Sequence, residues 1–308
     1  MKVFEKDYTG PSRVKVGNAD LWEVEEIIHK RPLADMTTDE ALIASLPEWM
    51  FPTFIDADWN FDIVSRSWIV IVDGRVIVVD PCTGNGRDFP DFLPAHMLDT
   101  PYIERFSATG IRPEDVDYVF CTHLHMDHCG WNTVLRDGKY VPTFPNAKYV
   151  MVQREFDRWD PKHPSHIPVP ANASTFQNSV LPVLEAGLAQ IVPERFSLLP
   201  GLEIEPCFGH TLGHTMLHLS SAAREAYFVG DAFHHPIEML YPDLDDQTSE
   251  NFEMLAASRK HVIDRCRNRD ALVIPAHFSC AFGGHLRDHA DGLVFEPYEE
   301  ILAASAAG

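Results

Sequence analysis

The chain has 308 residues, of which 45% are hydrophobic and 23% are charged, a composition that is typical of a folded globular protein and excludes disorder. Lys and Arg number 25 against 46 Asp and Glu, so the formal net charge is −21 at pH 7. This charge disfavours binding to nucleic acids and to anionic membrane surfaces, because both need a basic protein surface. No stretch approaches the roughly 18 consecutive apolar residues of a membrane-spanning helix.

The sequence has no internal repeat and no Gly/Ser-rich linker, and we predict a single domain over residues 1–308. Residues 1–64 are interpreted as an N-terminal leader and residues 65–280 as the core. Charged residues stand near the N-terminus where a signal peptide would be apolar, and the six cysteines form no CxxC pair. A cytoplasmic protein with reduced thiols is therefore expected.

The predicted elements begin in the leader, where Leu21 to Ile28 and Thr38 to Ser45 have a helix-like pattern, the second with Thr37 or Thr38 as its N-cap. Asp73-Gly74 between two apolar runs then predicts a β-hairpin. An α/β layered fold follows from the strands and helices predicted along the chain. The strands are Ser67 to Val72, Arg75 to Val79, Tyr118 to Thr122, Lys148 to Val152, Leu202 to Pro206, Met216 to Ser220, Ala226 to Val229 and Ala271 to Ile274. The helices are Tyr102 to Ala108, Arg154 to Trp159, Asn178 to Ala189 and Ser249 to Cys266.

Three histidines and an aspartate lie close together in the pattern HxHxDH, directly after a predicted strand. In an extended segment, His123 and His125 point to the same side and can bind one metal ion. Asp127 and His128 follow where the chain turns into a helix, and they can serve a second ion. A zinc site normally takes four or five donors, so further ligands must come from elsewhere in the chain.

The further donors come after other apolar strands. His210 lies in the segment GHTLGH, Asp231 ends the segment FVGD, and His277 ends the segment IPAH. Each stands at the carboxyl end of a predicted strand, where side chains from separate strands meet at one edge of a sheet. The sequence therefore predicts one metal-binding site built from several segments.

The motifs HxHxDH, GHTxGH, VGD and PAH, in this order over about residues 65 to 280, resemble the metallo-β-lactamase superfamily. The resemblance implies an αββα sandwich, with two packed mixed β-sheets flanked by helices and a dinuclear metal site at one sheet edge. The implied cofactors are two divalent metal ions, expected to be Zn²⁺, with Mn, Co or Fe as alternatives. The implied ligands are His123, His125 and His210 for the first ion, Asp127, His128 and His277 for the second, and Asp231 as the bridge.

Residues near these motifs are given supporting roles. By resemblance, Asp80 supports the ligands from behind, and His214 either packs or hydrogen-bonds behind His210. Cys121 and Cys129 are interpreted as core residues, since the family has no ligands there. The remaining histidines considered are expected to be solvated, namely His163, His166, His261, His285 and His289.

The implied chemistry is hydrolysis by a hydroxide shared between two ions. The expected substrate is a small neutral or hydrophobic lactone, ester or phosphotriester, because the chain is similar to quorum-quenching N-acyl homoserine lactonases and methyl parathion hydrolase. Two alternatives stay open, a hydrolytic dehalogenase of an activated aromatic ring and a mononuclear iron oxidoreductase of the same fold. A small-molecule substrate is the expected partner, with no nucleic acid and no membrane. A homodimer is the expected assembly.

Two residues are predicted to be catalytic, Asp127 and His234. His234 follows Asp231 by three positions, and its imidazole is expected to donate a hydrogen bond to a substrate oxygen. In the alternative interpretation His234 turns outward and His235 is equally exposed.

Overall fold

The computed structural model describes residues 3–4, 10–245, 248–299 and 302–303. Its strands, in chain order, are β1 (Val3–Phe4), β2 (Ser12–Val16), β3 (Ala19–Pro32), β4 (Asn60–Val72), β5 (Arg75–Val79), β6 (Tyr118–Phe120), β7 (Thr133–Arg136), β8 (Lys139–Pro142), β9 (Lys148–Val152), β10 (Ala189–Val192), β11 (Phe196–Leu199), β12 (Leu202–Pro206), β13 (Thr215–Ser221), β14 (Arg224–Gly230), β15 (Ala271–Pro275), β16 (Gly284–His289), β17 (Gly292–Pro297) and β18 (Leu302–Ala303). Its α-helices are α1 (Glu40–Ala44), α2 (Tyr102–Ser107), α3 (Met126–Cys129), α4 (Gln153–Trp159), α5 (Leu181–Glu185), α6 (Ile237–Leu240) and α7 (Phe252–Cys266).

Two large mixed sheets form the centre of the fold. In the first, the described strands lie in the order β10-β9-β6-β5-β4-β3-β2-β18, with β1 also paired to β3. In the second, the order is β11 to β17 in sequence, and β7 and β8 form a separate hairpin. Strands β5, β6 and β9 are parallel neighbours in the first sheet, and β14 and β15 are parallel in the second. The predicted αββα sandwich is confirmed.

The main core lies between the two sheets, where side chains such as Val70, Phe120 and Phe228 are buried. A second apolar cluster packs α2 and other segments on the outer face of the first sheet, and a third packs α7 on the outer face of the second. Both faces of the central strands are therefore covered, which is why those strands are apolar at consecutive positions. No helix in the described part of the chain is long and apolar enough to span a bilayer.

The prediction of a helix over Leu21 to Ile28 is wrong, because these residues lie within β3, which pairs with β4 over most of its length. The register shifts between Glu25 and Ile27. A bulge and burial on both faces together break the alternating pattern of a strand and produce an apparent helical period. Residues 12–32 thus add two strands to the first sheet.

Other predicted boundaries need smaller corrections. Helix α1 begins at Glu40, because the Asp39 carboxylate, not a threonine hydroxyl, accepts the N–H groups of Ala41 and Leu42. Helix α7 begins at Phe252 rather than at position 249, and Asn251 caps it. The predicted helix over positions 178–189 is a π-helical turn followed by α5, and its last residue starts β10.

Candidate metal centre

The candidate ligands gather where strands of the two sheets end side by side. Asp80 follows β5 and His123 closely follows β6, while Asp231 follows β14 and His277 closely follows β15. His210 lies in the connection from β12 to β13. Parallel neighbouring strands present their carboxyl ends at one edge, so five segments that are distant in sequence meet there.

A first group consists of three histidines and one carboxylate. His125 Nδ1 lies 3.0 Å from His123 Nε2 and 2.9 Å from His210 Nε2. Asp231 Oδ2 lies 3.3 Å from His210 Nε2 and 3.8 Å from His123 Nε2. Ligands at about 2.0–2.1 Å from a tetrahedral zinc ion are about 3.3 Å apart, so these spacings suit one ion at the centre of the group.

A second group contains Asp127, His128 and His277. Asp127 Oδ2 lies 3.8 Å from His128 Nε2 and 3.6 Å from His277 Nε2. Asp231 Oδ1 lies 3.1 Å from both of these ring nitrogens. Asp231 therefore turns one oxygen toward each group, which is the arrangement of a carboxylate that bridges two ions.

The buried polar atoms of the second group fit a bound cation. His128 Nε2 and Asp231 Oδ1 are enclosed, and neither has a hydrogen bond of acceptable geometry. Buried polar atoms in proteins are normally hydrogen-bonded, and a nitrogen and a carboxylate oxygen left unsatisfied are both ligand atoms for zinc-type ions. The residues present therefore fit a metal at this position.

Burial keeps the histidines of the first group neutral. It lowers the pKa of His125 to about 4 and lowers the pKa of His123 and His210 well below the usual range of histidine. Neutral imidazole is the form that binds a metal, so this group is ready to accept an ion at neutral pH without losing protons.

The second group has the opposite electrostatics. Burial alone would lower the pKa of His128, but the charges of Asp231, Asp127 and Asp80 raise it well above its usual value. Burial would likewise raise the pKa of Asp231, whereas the neighbouring His128 and His277 hold it well below the usual range. A divalent ion in this group would replace the proton of His128 among the same carboxylates.

Asp80 supports the second group from behind. Its Oδ2 atom lies 3.0 Å from His128 Nδ1 and accepts the Thr122 hydroxyl at 2.8 Å, while its Oδ1 atom accepts the Thr122 N–H at 2.7 Å. Because Nδ1 of His128 is engaged, Nε2 faces the centre. This position agrees with the role that the resemblance implied for Asp80.

His214 supports the bridging residue itself. Its Nε2 atom accepts the Asp231 N–H at 3.1 Å, and its Nδ1 atom lies 2.8 Å from the carbonyl oxygen of Cys207. The ring thus lies behind Asp231, and it also packs edge-on against the ring of His210, with 6.1 Å between centroids, as expected. Gly230 is required beside it, because φ is +51° and a Cβ atom there would come within 2.6 Å of His214 Nε2.

Glu155 on α4 is a buried residue of the site that was not predicted, since it belongs to no motif. Its carboxylate accepts the Leu124 N–H at 2.8 Å, the Trp159 indole N–H at 2.6 Å and the Thr211 hydroxyl at 2.7 Å. Glu155 therefore joins the HxHxDH segment to the loop that carries His210. Burial raises its pKa to about 7, against the three hydrogen bonds that lower it.

His234 faces the centre, and the alternative in which it turns outward beside an exposed His235 is wrong. Its Nε2 atom lies 3.3 Å from Asp231 Oδ2, and its ring stacks parallel to the ring of His277 with 5.7 Å between centroids. His235 is buried, with Nε2 3.0 Å from the carbonyl oxygen of Phe54.

A buried acid that sequence reasoning did not identify fixes this loop. The carboxylate of Glu238 accepts the backbone N–H groups of both His234 and His235, and it pairs with the buried Arg259.

The two cysteines beside HxHxDH are buried, as predicted. Cys121 Sγ is 3.7 Å from the side-chain oxygen of Asn132, and Cys129 Sγ contacts the carbonyl oxygen of His125 at 3.3 Å. Burial raises the pKa of both thiols well above the usual value, so neither is a thiolate at neutral pH. The histidines predicted to be solvated are all at least partly exposed, namely His163, His166, His261, His285 and His289.

Two curated proteins are similar to this chain in sequence over less than a third of its length. N-acyl homoserine lactonase AttM from Azorhizobium caulinodans is 31% identical over 90 residues, which span 28% of this chain and 31% of that protein. AttM from Agrobacterium fabrum is likewise 31% identical over 90 residues, spanning 29% of this chain and 31% of that protein. The alignments therefore span about a third of the length of these curated relatives.

Similarity over nearly the full length comes from solved structures. The dizinc quorum-quenching lactonase AidC, in complex with a product, N-hexanoyl-L-homoserine, has a TM-score of 0.75 at 19% identity, covering 96% of this chain and 99% of AidC. The hydrolase AbOPH of the β-lactamase superfamily has a TM-score of 0.75 at 18% identity, covering 94% of this chain and 98% of AbOPH. At these identities the likeness shows a shared fold.

The family comparison covers both ligand groups. Residues 62–293 match the Metallo-beta-lactamase superfamily domain, a range that contains every candidate ligand and most of both sheets. Together with the αββα sandwich and the ordered motifs, this match shows that the chain belongs to the metallo-β-lactamase superfamily.

Proposed function

We propose that the chain is a metal-dependent hydrolase that holds two divalent ions at the edge shared by the two sheets. The observation that carries this proposal is the orientation of Asp231, whose two oxygens face two different groups of ligand atoms. Most of the donors are histidine nitrogens, which favours Zn²⁺, with Mn, Co or Fe as alternatives. The proposed ligands are His123, His125 and His210 for the first ion, Asp127, His128 and His277 for the second, and Asp231 for both.

The two ions, when bound, would polarise a substrate oxygen and lower the pKa of water toward neutrality. The protein's own residues would position the reactants. Asp127 has a side chain that is 25% exposed against 4% for Asp231, so its carboxylate is partly open to solvent. It is suited to accept the proton released by the attacking water and to pass that proton to the leaving oxygen.

His234 has a separate proposed role as a hydrogen-bond donor. Its side chain is 14% exposed and lies between the rings of His210 and His277, whose centroids are 5.1 and 5.7 Å away. The Glu238 carboxylate fixes the backbone of this loop, so the imidazole is held before substrate arrives. A preorganised donor at a carbonyl, phosphoryl or leaving oxygen accelerates a reaction by roughly 10²–10³-fold.

The charges around the site favour a neutral substrate. Two buried arginines near the ligand-bearing loops are paired with acids, Arg158 with Glu250 and Arg259 with Glu238. A third, Arg87, donates to the carbonyl oxygens of Gly130 and Thr133. The formal charge of the chain is −21, which repels anions. We therefore propose a small neutral lactone as the substrate class, supported by the lactonase relatives, with esters and phosphotriesters as the nearest alternatives.

A substrate panel tests this proposal. Protein loaded with Zn, Mn, Co or Fe is assayed with lactones, aryl esters and organophosphate triesters, and with an activated haloaromatic compound. We expect the highest kcat/KM for a lactone in the metal-loaded protein and none in chelated protein. The Asp264→Ala variant serves as a control, since Asp264 is exposed on α7 and is not a proposed ligand. Activity only toward the haloaromatic compound would contradict lactone hydrolysis and support a hydrolytic dehalogenase. Oxidation of a substrate by Fe-loaded protein alone would support an iron oxidoreductase instead.

A further inference from the structure

Glu26 is a buried acid that belongs to neither ligand group and lies at an irregularity of β3. The register with β4 shifts between Glu25 and Ile27, so Glu26 is the extra residue of a bulge, and it is 2% exposed. The carbonyl oxygens of Glu25 and Glu26 both accept hydrogen bonds from Arg105 Nη1, each at 3.0 Å. A bulge changes the direction in which a side chain points, and bulges are frequent next to active sites. The Glu26 side chain is thereby directed to partners outside the strand pair.

The Glu26 carboxylate accepts hydrogen bonds from two segments that adjoin the second group. Its Oε2 atom accepts the Thr83 N–H at 2.7 Å, and its Oε1 atom accepts the Gly84 N–H at 3.1 Å and the Trp131 indole N–H at 2.6 Å. The two backbone donors belong to the turn after β5, residues 80–84, and Trp131 closely follows α3. Glu26 therefore joins the turn after β5 to the end of α3.

The turn after β5 has an unfavourable backbone conformation. Asp80 and Cys82 have φ angles of +48° and +33°, in the left-handed region that residues with a side chain seldom adopt. Such a conformation persists only where the surrounding structure holds it, and it is common at functional sites. The Cys82 carbonyl oxygen accepts the Gly130 N–H at 2.7 Å, and Glu26 accepts the next two N–H groups of the same turn. These contacts hold the turn in place.

The same turn determines how Asp80 meets the second group. The turn packs directly on the residue that ends α3, because a Cβ atom at Gly130 would come within 1.7 Å of the Thr83 carbonyl oxygen. Asp80 Oδ2 lies 3.0 Å from His128 Nδ1, and this contact leaves Nε2 of His128 facing the centre. A shift of the turn relative to α3 would therefore change the orientation of a proposed ligand of the second ion.

The first group is held by other contacts. The Leu124 peptide lies between the two histidines of the HxH segment. Its N–H donates to the Glu155 carboxylate at 2.8 Å, and its carbonyl oxygen accepts the Asn172 side-chain N–H at 3.0 Å. These two contacts involve neither Glu26 nor the turn after β5. A change at Glu26 is therefore expected to act on the second group more than on the first.

We propose that Glu26 is a positioning residue for the second ion, because its carboxylate holds the turn after β5 against α3 and so keeps Asp80 hydrogen-bonded to His128. The inference rests on the proposed two-ion centre and extends it to a residue of β3 that belongs to none of the motifs. A carboxylate suits this role, since its two oxygens accept from both segments at once. An amide offers one oxygen only and would set an N–H group against one of the N–H donors.

Metal titration of Glu26→Gln and wild type, with a competing chelator to resolve the two affinities, tests the proposal. The affinity for the second ion is expected to fall about tenfold, the lower end of the loss caused by removing a residue that orients a ligand. The affinity for the first ion is expected to stay within about threefold, because the contacts of the Leu124 peptide remain.

Asp117→Asn is the matched control. Asp117 also accepts a backbone N–H of β5, that of Val76 at 2.9 Å, but it directly precedes β6, at the end of the parallel strands opposite the ligands. This variant is expected to lose unfolding free energy in urea without a change in either metal affinity. If Glu26→Gln does not fold, Trp131→Phe removes one donor to Glu26 and keeps an aromatic ring, and a loss of about threefold at the second ion alone is expected.

The titrations separate the two proposals. Equal losses at both ions, or an unchanged affinity for the second ion in the variant that folds, would overturn the role of Glu26 while the two-ion centre stands. A loss of stability like that of Asp117→Asn, with both affinities unchanged, would make Glu26 a structural residue only. If wild type binds a single ion, the two-ion centre fails and the role of Glu26 fails with it.

Discussion

The two ligand groups share Asp231 but differ in charge and exposure. In the first, burial keeps His123, His125 and His210 neutral, and their nitrogens already lie at ligand spacing. In the second, carboxylates raise the pKa of His128, and the Asp127 side chain is open to solvent. From this comparison we predict that a first ion would be bound tightly by a preorganised group, and that a second ion would compete with protons and lie nearer the substrate.

Removal of the shared residue has the largest expected effect. Asp231→Ala should weaken the binding of both ions and lower kcat/KM by more than about 100-fold, because each ion would lose a ligand. The hydrogen bond from the residue 231 N–H to His214 would then orient no carboxylate. Asp127→Asn should weaken only the second ion. Equilibrium dialysis with metal analysis distinguishes the two variants, and retention of both ions by Asp231→Ala would show that Asp231 does not bridge.

The next effect separates catalysis from metal binding. His234→Ala should lower kcat at least tenfold with both ions retained, because the donor near Asp231 Oδ2 is lost while the proposed ligands remain. Exposed His289→Ala is the control. Steady-state kinetics measures kcat, and metal analysis of the same samples measures the number of ions retained per chain. A kcat within twofold of wild type would remove His234 from the reaction, and loss of an ion would make it a ligand instead.

The supporting carboxylates should affect the two ions separately. Asp80→Asn should weaken the second ion by about 10–100-fold, because it disturbs the partner of His128 Nδ1. Glu155→Ala should weaken the first ion by a similar factor, because the segments that carry His125 and His210 lose their shared acceptor. Metal titrations resolve the two affinities. Equal weakening of both ions in both variants would show that the groups behave as one unit.

A further expected effect, outside metal binding and catalysis, is on stability against pH. The folded pKa of Glu155 is about 7, above its value of 4.5 in an unfolded chain, so its contribution to stability is fully present below pH 4.5 and is lost as pH rises through 7. Metal-free Glu155→Gln has no carboxyl group at this position and therefore lacks this loss. The unfolding free energy of the variant, relative to that of metal-free wild type, should rise by up to about 3 kcal/mol from pH 5 to pH 8. Urea unfolding at both values measures the gain, and a difference independent of pH would refute the raised pKa.

The ordered motifs carried the resemblance to the family, and that resemblance implied the sandwich, whereas the strand and helix patterns alone indicated only an α/β layered fold. The helix predicted at Leu21 to Ile28 failed because a bulge and two-sided burial imitate a helical period. Glu155 and Glu238 belong to no motif, since each acts through contacts with residues distant in sequence. The homodimer, the cytoplasmic location and the division into leader and core stay predictions.

Metal stoichiometry tests the central claim most directly. Wild-type protein, purified without chelator and equilibrated with Zn²⁺, is analysed for metal per chain and then dialysed against increasing chelator. We expect close to two ions per chain, released in two steps. The ion of the second group is expected to leave first, and at a higher pH than the ion of the first group. Removal of the ion of the first group is expected to require a stronger chelator. Binding of a single ion per chain under metal excess, or of a single redox-active Fe, would contradict the dinuclear centre.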